Sequence, residues 1–185
     1  MLNAKVIYLG GVPASGKSSV FRVIREAIFT GARPFACGLC RGIAVGQFRM
    51  LGVFDGSTFE GTDKLSMAVI GDALSYLRKL DALPGRTVCF VEGDRLLCRR
   101  FIDETGASVH IVDAHPEVLA VRLANRAAGG EPQSEQSLKA RRTKVENLAA
   151  ALGVEKWWND SPADQTRIVR DLLAEAQEWL NGNDL

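Results

Sequence analysis

The sequence predicts a three-layer α/β fold with a mostly parallel sheet, and three observations support this prediction. Apolar segments alternate with stretches of helical periodicity along the whole chain, and no repeat or linker interrupts them. Residues 87–91 are apolar except for Thr87, as interior parallel strands usually are. The chain has 185 residues, of which 46% are hydrophobic and 24% charged. These values are ordinary for one folded domain over 1–185 and exclude a mainly disordered chain.

The first half of the chain predicts a strand, a helix, a Gly-rich region and a second helix. Residues 5–9 form an apolar segment, and apolar side chains then recur at helical spacing between Val20 and Ile28. The Gly-rich region 31–54 contains short β-prone pieces, which predict one or two further strands. Apolar positions at helical spacing over 65–80 predict the second helix, and Pro84-Gly85 ends it.

The second half continues the alternation from the interior strand at 87–91. We expect a helix from about residue 95 and a strand over 108–112. Pro116 opens the next helix at a favoured early position, and Pro132 breaks that run. Apolar spacing predicts a further helix around 138–152, and the last helix begins at Pro162.

The charge, the apolar segments and the cysteines of the chain exclude some classes of function. Lys and Arg total 23 and Asp and Glu total 22, so the formal net charge is +1, which argues against a strongly basic nucleic-acid wrapper. No apolar run approaches the ~18 residues of a membrane helix, and the first residues lack the features of a signal peptide. The four cysteines are expected to be reduced. These features predict a cytoplasmic chain with no membrane partner, and they leave its oligomeric state open.

One motif predicts nucleotide binding. Residues 11–18 match G-x-x-x-x-G-K-[ST] between a predicted strand and a predicted helix, which is the context that a phosphate-binding loop requires. Its glycines let several backbone N–H groups point at one anion, Lys17 can reach the β- and γ-phosphates, and the Ser18 hydroxyl can ligate Mg²⁺. The predicted ligands are therefore ATP and Mg²⁺, and the predicted nucleotide-binding residues are Gly11, Val12, Pro13, Ala14, Ser15, Gly16, Lys17, Ser18 and Ser19.

Acidic residues at the end of the interior strand predict further metal contacts. Glu92 and Asp94 follow the apolar run 87–91, and ligands of open α/β sheets sit at the carboxyl ends of strands. Glu92 comes first after the strand and is the preferred member of the metal shell. The alternative is a solvated turn with an ion pair to Arg95.

A group that orients or deprotonates an acceptor hydroxyl is expected between the first two helices. The segment 54–63 supplies three carboxylates there, and Asp63 is the preferred catalytic residue with Asp55 as the alternative. Because Asp63 directly precedes the predicted second helix, a helix N-cap is its competing, though compatible, role.

A basic segment predicts a helical lid over about 122–144. Arg122 and Arg126 are four residues apart on one helical face, and they precede a Gly/Pro/Ser-rich loop and a second group of basic residues. Such cations can neutralise the charge that develops on a transferred phosphoryl group. The alternative is a solvated basic helical hairpin. Trp157-Trp158 could stack on a base, but a pair near the last helix is more often packing.

Taken together, these features resemble the small phosphate-loop kinases, which include nucleoside monophosphate, shikimate, gluconate and polynucleotide kinases. The resemblance implies a P-loop fold of the kinase type with a helical lid. Two segments, 59–67 and 91–96, further resemble the phage-type kinases of 5-hydroxymethyluracil in DNA. That resemblance implies that ATP phosphorylates the hydroxymethyl oxygen of a modified pyrimidine in DNA, in the host cytoplasm if the chain is phage-encoded.

Other functions remain compatible with these motifs. A kinase of a free nucleotide or another small-molecule acceptor would fit the near-neutral charge without a groove for DNA. A nucleotide-binding regulatory ATPase would need no acceptor. For a DNA acceptor, we expect the basic lid and Arg99-Arg100 to hold the phosphates that flank the base.

Overall fold

The computed structural model describes residues 3–56, 60–129 and 133–182. Its strands are β1 (Ala4–Gly11), β2 (Arg33–Cys37), β3 (Cys40–Val45), β4 (Phe48–Leu51), β5 (Thr87–Glu92), β6 (Ser108–Asp113) and β7 (Lys156–Trp158). Its helices are α1 (Lys17–Ile28), α2 (Ile70–Asp81), α3 (Arg99–Thr105), α4 (Pro116–Ala128), α5 (Glu135–Leu152) and α6 (Pro162–Leu180). A 3₁₀ helix, Thr62–Lys64, lies ahead of α2.

The strands form one seven-stranded sheet in the order β2-β3-β4-β5-β1-β6-β7. The pairs β4–β5, β5–β1, β1–β6 and β6–β7 are parallel, and the pairs β2–β3 and β3–β4 are antiparallel. The predicted α/β class with a mostly parallel sheet is therefore confirmed.

The central strand β1 separates two apolar cores. Its successive side chains point to opposite faces of the sheet, so Val6 and Tyr8 enter one core while Ile7 and Leu9 enter the other. The first core packs against α2, α3 and α5, and the second packs against α1 and α6. This three-layer packing fixes the carboxyl ends of β1 and β5 side by side, with Leu9 opposite Glu92 in the register.

The Gly-rich region forms three strands, and the prediction of one or two was wrong. Tight turns at Gly38 and Gly46 join β2, β3 and β4, and both glycines have positive φ values, 59° and 51°. These turns fold a short segment back on itself twice, which periodicity over so few residues does not reveal.

Two helices begin later than their apolar spacing predicts. Leu65 is extended (φ −72°, ψ 156°), so the chain straightens after the 3₁₀ helix and α2 begins only at Ile70. Cys98 is also extended, and α3 begins at Arg99 instead of residue 95. The predicted beginnings of α4 and α6 at prolines are confirmed, and a capping box between Ser161 and Asp164 opens α6.

A short strand near the carboxyl end is absent from the sequence-based prediction. β7 pairs with β6 through three residues. Its Trp157 packs against the second core as expected, whereas Trp158 is exposed. The predicted break at Pro132 lies outside the described residues. Within the described ranges, every helix is too short or too polar to cross a membrane.

Candidate active site

The phosphate-binding loop runs from the end of β1 to the start of α1, and its conformation requires glycine at two positions. Gly11 (φ 156°) and Gly16 (φ 92°) both have backbone angles that L side chains rarely adopt. A Cβ at Gly11 would lie 2.2 Å from the carbonyl oxygen of Val112, and one at Gly16 would lie 2.4 Å from Nδ2 of Asn159. The loop is therefore enclosed by β6 and by the residue that follows β7.

Two side chains hold this loop from its outer side. Asn159 is buried and its Nδ2 donates a hydrogen bond to the carbonyl oxygen of Ser15 at 2.7 Å. Arg122 donates to the carbonyl oxygens of Ala14, at 3.3 Å, and Asn159, at 2.8 Å. Since these contacts occupy its guanidinium, Arg122 serves as a brace of the loop in this conformation and does not face the cleft like a mobile lid cation.

Lys17 faces a group of carboxylates. Its Nζ donates to the carbonyl oxygens of Gly11 and Val12, at 2.9 and 3.0 Å. Burial lowers the pKa of Lys17, and the negative charges of Glu92, Asp94 and Asp63 act in the opposite direction. The ammonium group and the three acids therefore share one electrostatic environment.

The acids at the carboxyl end of β5, Glu92 and Asp94, have oxygens free to bind a ligand. Glu92 is buried, and burial raises its pKa to about 7 against the opposing charge of Lys17. Within the described residues, Oε2 of Glu92 and Oδ1 of Asp94 are buried without a hydrogen-bond partner. Unpartnered carboxylate oxygens beside a phosphate-binding loop fit a hard cation such as Mg²⁺, with Ser18 as the loop ligand.

The described chain has no group of three or more His, Cys, Asp or Glu side chains that could hold a metal alone. Mg²⁺ in kinases is bound by one or two carboxylates together with phosphate oxygens and water. The unpartnered oxygens of Glu92 and Asp94 therefore fit a metal that arrives with a nucleotide.

Asp63 belongs to a segment that packs directly against the residues after β5. Its Oδ1 accepts a hydrogen bond from the N–H of Asp94 at 2.8 Å, and its carbonyl oxygen accepts one from Nη2 of Arg95 at 2.8 Å. Thr62 donates through its hydroxyl to the carbonyl oxygen of Glu92. Gly61 makes this approach possible, since a Cβ there would lie 2.3 Å from Oε1 of Glu92.

The contacts of Asp63, Asp55 and Arg95 bear on the alternative interpretations of the segments 54–63 and 92–95. The N-cap position of α2 is Val69, so the interpretation of Asp63 as the cap of that helix was wrong. Asp55 lies outside the cleft lining and forms an ion pair with Lys64 at 2.8 Å, with half of its side chain exposed. Arg95 donates to the carbonyl oxygen of Asp63, which differs from the ion pair that the alternative interpretation of Glu92 and Asp94 required.

One open cleft of about 930 Å³ joins most of these groups. Its walls include residues of the loop and α1, the acids Asp63, Glu92 and Asp94, and residues of the segments before and within α5. A cleft of this size can hold a nucleotide and part of a second substrate.

The predicted lid corresponds to the second half of α4 and the first half of α5. Arg126 and Arg141 line the cleft, and Nε of Arg141 lies 3.7 Å from Oδ2 of Asp94. Lys144 donates to the carbonyl oxygen of Asp94 at 2.9 Å. The basic residues of this segment thus meet the acids after β5, although the loop tip at 130–132 lies outside the described residues.

Comparison with known proteins identifies the family. The model of the family P-loop Nucleotide Kinase3 matches residues 2–161, which is most of the chain. The chain belongs to this family. It is therefore an ATP-dependent kinase, as the phosphate-binding loop and its carboxylate partners predict.

Solved structures that resemble this P-loop nucleotide kinase include a gluconokinase from Sinorhizobium meliloti 1021. The two chains are 19% identical, the match covers 98% of this chain and 95% of that one, and the TM-score is 0.49. No curated protein sequence matches the kinase.

The kinase has a second cavity of about 340 Å³ on the outer side of its phosphate-binding loop. It shares Arg126 with the main cleft and is also lined by Arg122, Asn125, Asn159 and Gln165. The two cavities meet at the loop, so a nucleotide could extend from one into the other.

Several residues that line the two cavities of this kinase belong to no recognisable sequence motif. Asn159 is more than 140 positions after the loop that it holds, and only the pairing of β7 with β6 brings it there. Arg22 and Arg25 line the cleft at spacings of four and seven residues from Ser18, so the helical periodicity of α1 is a signal that identifies them. Phe54 completes that wall, with the guanidinium of Arg25 5.6 Å from its ring centre.

Proposed function

We propose that this kinase transfers the γ-phosphoryl group of ATP to the hydroxymethyl oxygen of 5-hydroxymethyluracil in DNA. The observation that carries the proposal is the contact between two segments that resemble kinases of that base. In the cleft, Asp63 is hydrogen-bonded to Asp94, and Arg95 is hydrogen-bonded to the carbonyl of Asp63. The described parts of these segments, 60–67 and 91–96, meet beside the phosphate-binding loop, which supports an acceptor site there.

On the nucleotide side, the loop N–H groups and Lys17 bind the β- and γ-phosphates. The adenosine occupies the second cavity, next to Asn159. Ser18, Glu92 and Asp94 are the residues that would hold Mg²⁺, directly or through water. When bound, Mg²⁺ would neutralise the negative charge of the phosphate oxygens.

In the transfer step, the acceptor oxygen forms a bond to the γ-phosphorus as the bond to the β–γ bridging oxygen breaks, and ADP leaves. Asp63 orients the acceptor hydroxyl and receives its proton. The N–H of Asp94 holds one oxygen of this carboxylate at 2.8 Å, so the other can face the hydroxyl. The transition state is loose, and most of the rate enhancement comes from positioning and electrostatics.

Cations of the lid stabilise the charge on the transferred group. Arg126 and Arg141 line the cleft from α4 and α5, and Arg126 is close enough to Lys17 to contribute to the lowering of its pKa. Arg122 supports this arrangement from outside, through its hydrogen bonds to the loop and Asn159.

A DNA acceptor must be flipped out of the duplex to reach Asp63, at a cost of a few kcal/mol. The cleft of about 930 Å³ leaves room for part of such an acceptor beside the bound nucleotide, which supports the proposal. The expected phosphate contacts of Arg99 and Arg100 have less support, because these side chains bind Asp103 and Glu104 on the exposed face of α3. Cations within the cleft wall are the better candidates.

An acceptor screen with γ-labelled ATP and Mg²⁺ tests the proposal. The acceptors are a duplex that contains 5-hydroxymethyluracil, the same duplex with thymine, and the free hydroxymethyl nucleoside and mononucleotide. Of the two duplexes, we expect only the one that contains 5-hydroxymethyluracil to become labelled. With the Lys17→Ala variant, we expect no acceptor to become labelled. Label only in the free nucleotide would assign the enzyme to small-molecule kinases, and ATP hydrolysis with no labelled acceptor would favour a regulatory ATPase.

A further inference from the structure

The wall of the cleft formed by α1 carries a cation that has no counter-charge among the described residues. Arg22 is exposed and lines the cleft, and none of the described Asp or Glu carboxylates lies within 4.0 Å of its guanidinium. The neighbouring cations differ: Arg25 forms an ion pair with Glu60, and Lys64 pairs with Asp55. Arg22 is therefore the cation of this wall that remains available to an anionic ligand.

The position of Arg22 places it beyond the groups that bind the triphosphate. Ser18, Arg22 and Arg25 follow one another on a single face of α1, at spacings of four and three residues. With a rise of 1.5 Å per residue, the backbone of Arg22 lies roughly 7 Å farther along the helix than that of Lys17. Arg22 lines the same cleft as Asp63, the proposed acceptor-binding carboxylate, and lies farther along α1 from the phosphate-binding loop than Lys17 does.

An aromatic ring lies on the same wall. Phe54 lines the cleft and has the guanidinium of Arg25 5.6 Å from its ring centre. The ion pair of Arg25 with Glu60, whose Oε1 accepts a hydrogen bond from the N–H of Gly56 at 2.8 Å, holds this pair of side chains in place. Phe54 and Arg22 both line this cleft, and an aromatic ring together with a guanidinium suits a base and its phosphate.

We infer that Arg22 binds a phosphate group of the acceptor, so the acceptor of this kinase is a nucleotide unit and not an uncharged alcohol. Arg25 adds positive potential to the same wall, and Phe54 supplies a surface for the base. The inference deepens the proposed function and rests on its acceptor site. It assigns to the main cleft a second phosphate subsite, separate from the phosphate-binding loop.

Equilibrium binding tests this subsite without requiring phosphoryl transfer. Isothermal titration calorimetry is done with Mg²⁺ and a saturating non-hydrolysable ATP analogue, and the titrants are thymidine and its 5′-monophosphate. Neither titrant carries a hydroxymethyl group on its base, and the ATP analogue cannot transfer its γ-phosphoryl group, so binding is measured apart from the reaction. The variants are Arg22→Gln, the conservative Arg22→Lys, and Arg41→Gln as a matched control, since Arg41 is exposed on β3 and outside the cleft lining.

We expect the wild type to bind the monophosphate about tenfold or more tightly than thymidine, as one charge-assisted hydrogen bond to a phosphate provides. Arg22→Gln removes this preference, Arg22→Lys keeps part of it, and Arg41→Gln keeps all of it. The affinity for the ATP analogue stays within about twofold in every variant.

The inference is overturned if the two titrants bind equally, if neither binds, or if the preference survives Arg22→Gln. It is also overturned if Arg22→Gln weakens the ATP analogue as much as the monophosphate, because Arg22 would then serve the triphosphate. Failure of the proposed function has a different signature. In that case the modified duplex stays unlabelled while the Arg22-dependent preference for the monophosphate persists.

Discussion

Asp63 accepts a hydrogen bond from the N–H of Asp94, with Oδ1 and the nitrogen 2.8 Å apart. This bond joins the 3₁₀ helix ahead of α2 to the residues that follow β5, which are 31 positions away in the sequence. It holds Oδ1 of Asp63 next to Asp94, which is another of the acids around Lys17. The orientation of the proposed acceptor-binding carboxylate is thus set by the same turn that carries the proposed metal ligands.

The first prediction concerns the charge of Asp63. Asp63→Asn keeps an oxygen that can accept the hydrogen bond from Asp94, so the segment should keep its fold. The substitution removes the basic oxygen, and we expect phosphoryl transfer to fall by more than about a hundredfold. Steady-state transfer to the labelled acceptor and calorimetric binding of the ATP analogue measure the two effects separately.

Asp55→Asn is the matched control for this substitution. Asp55 lies outside the cleft lining and pairs with Lys64 at 2.8 Å, so its loss should change transfer by less than about threefold. The opposite pattern, with transfer unchanged in Asp63→Asn and lost in Asp55→Asn, would assign the acceptor role to Asp55.

The second prediction concerns the pH dependence of stability without metal. Burial raises the pKa of Glu92 from its ordinary value of 4.5 to about 7, so the folded state holds a proton that the unfolded chain releases. The stabilisation from this proton is complete below pH 4.5 and is lost as pH rises through about 7. Its size is on the order of 3 kcal/mol.

Denaturant unfolding between pH 4.5 and 8 in the presence of a chelator measures this effect. Glu92→Gln stays neutral at every pH, so we expect the stability of the variant relative to the wild type to increase across that range. The difference between the two profiles cancels the contributions of other groups. Parallel profiles would mean that Glu92 ionises in the folded protein as it does in the unfolded chain.

The third prediction concerns the brace of the phosphate-binding loop. Asn159→Ala removes the donor to the carbonyl oxygen of Ser15, which is 2.7 Å away, and leaves that oxygen without its side-chain partner. We expect a loss of about 1–3 kcal/mol in the free energy of unfolding and a weaker affinity for ATP. Thermal unfolding and nucleotide titration measure the two quantities.

Asn147→Ala is a suitable comparison, because Asn147 is exposed on α5 and lines neither cavity. We expect it to change neither quantity appreciably. If Asn159→Ala bound ATP as tightly as the wild type, the loop would hold its conformation without this side chain, and the proposed role of the second cavity would lose its main support.

Local chemistry accounts for the parts of the fold that were predicted correctly. Each of these parts depends on residues that are neighbours in the sequence, so local backbone preferences and periodicity predict it. They are the phosphate-binding loop, the proline-initiated helices α4 and α6, and the interior strand β5. The late beginning of α2 at Ile70 is different. Leu65 and Val69 pack in the core although they precede the helix, so their apolar spacing reflects burial and not helical structure.

By itself, the sequence determined the α/β class, the phosphate-binding loop and the presence of acids after β5, because these features reside in contiguous residues. Only the tertiary structure decided which distant side chains meet there. It put Asn159 and Arg122 behind the loop, Asp63 against Asp94, and Arg22 on the wall of the cleft. The physical reason is that these contacts depend on strand order and register, which arise from the burial of two whole cores and not from any local preference.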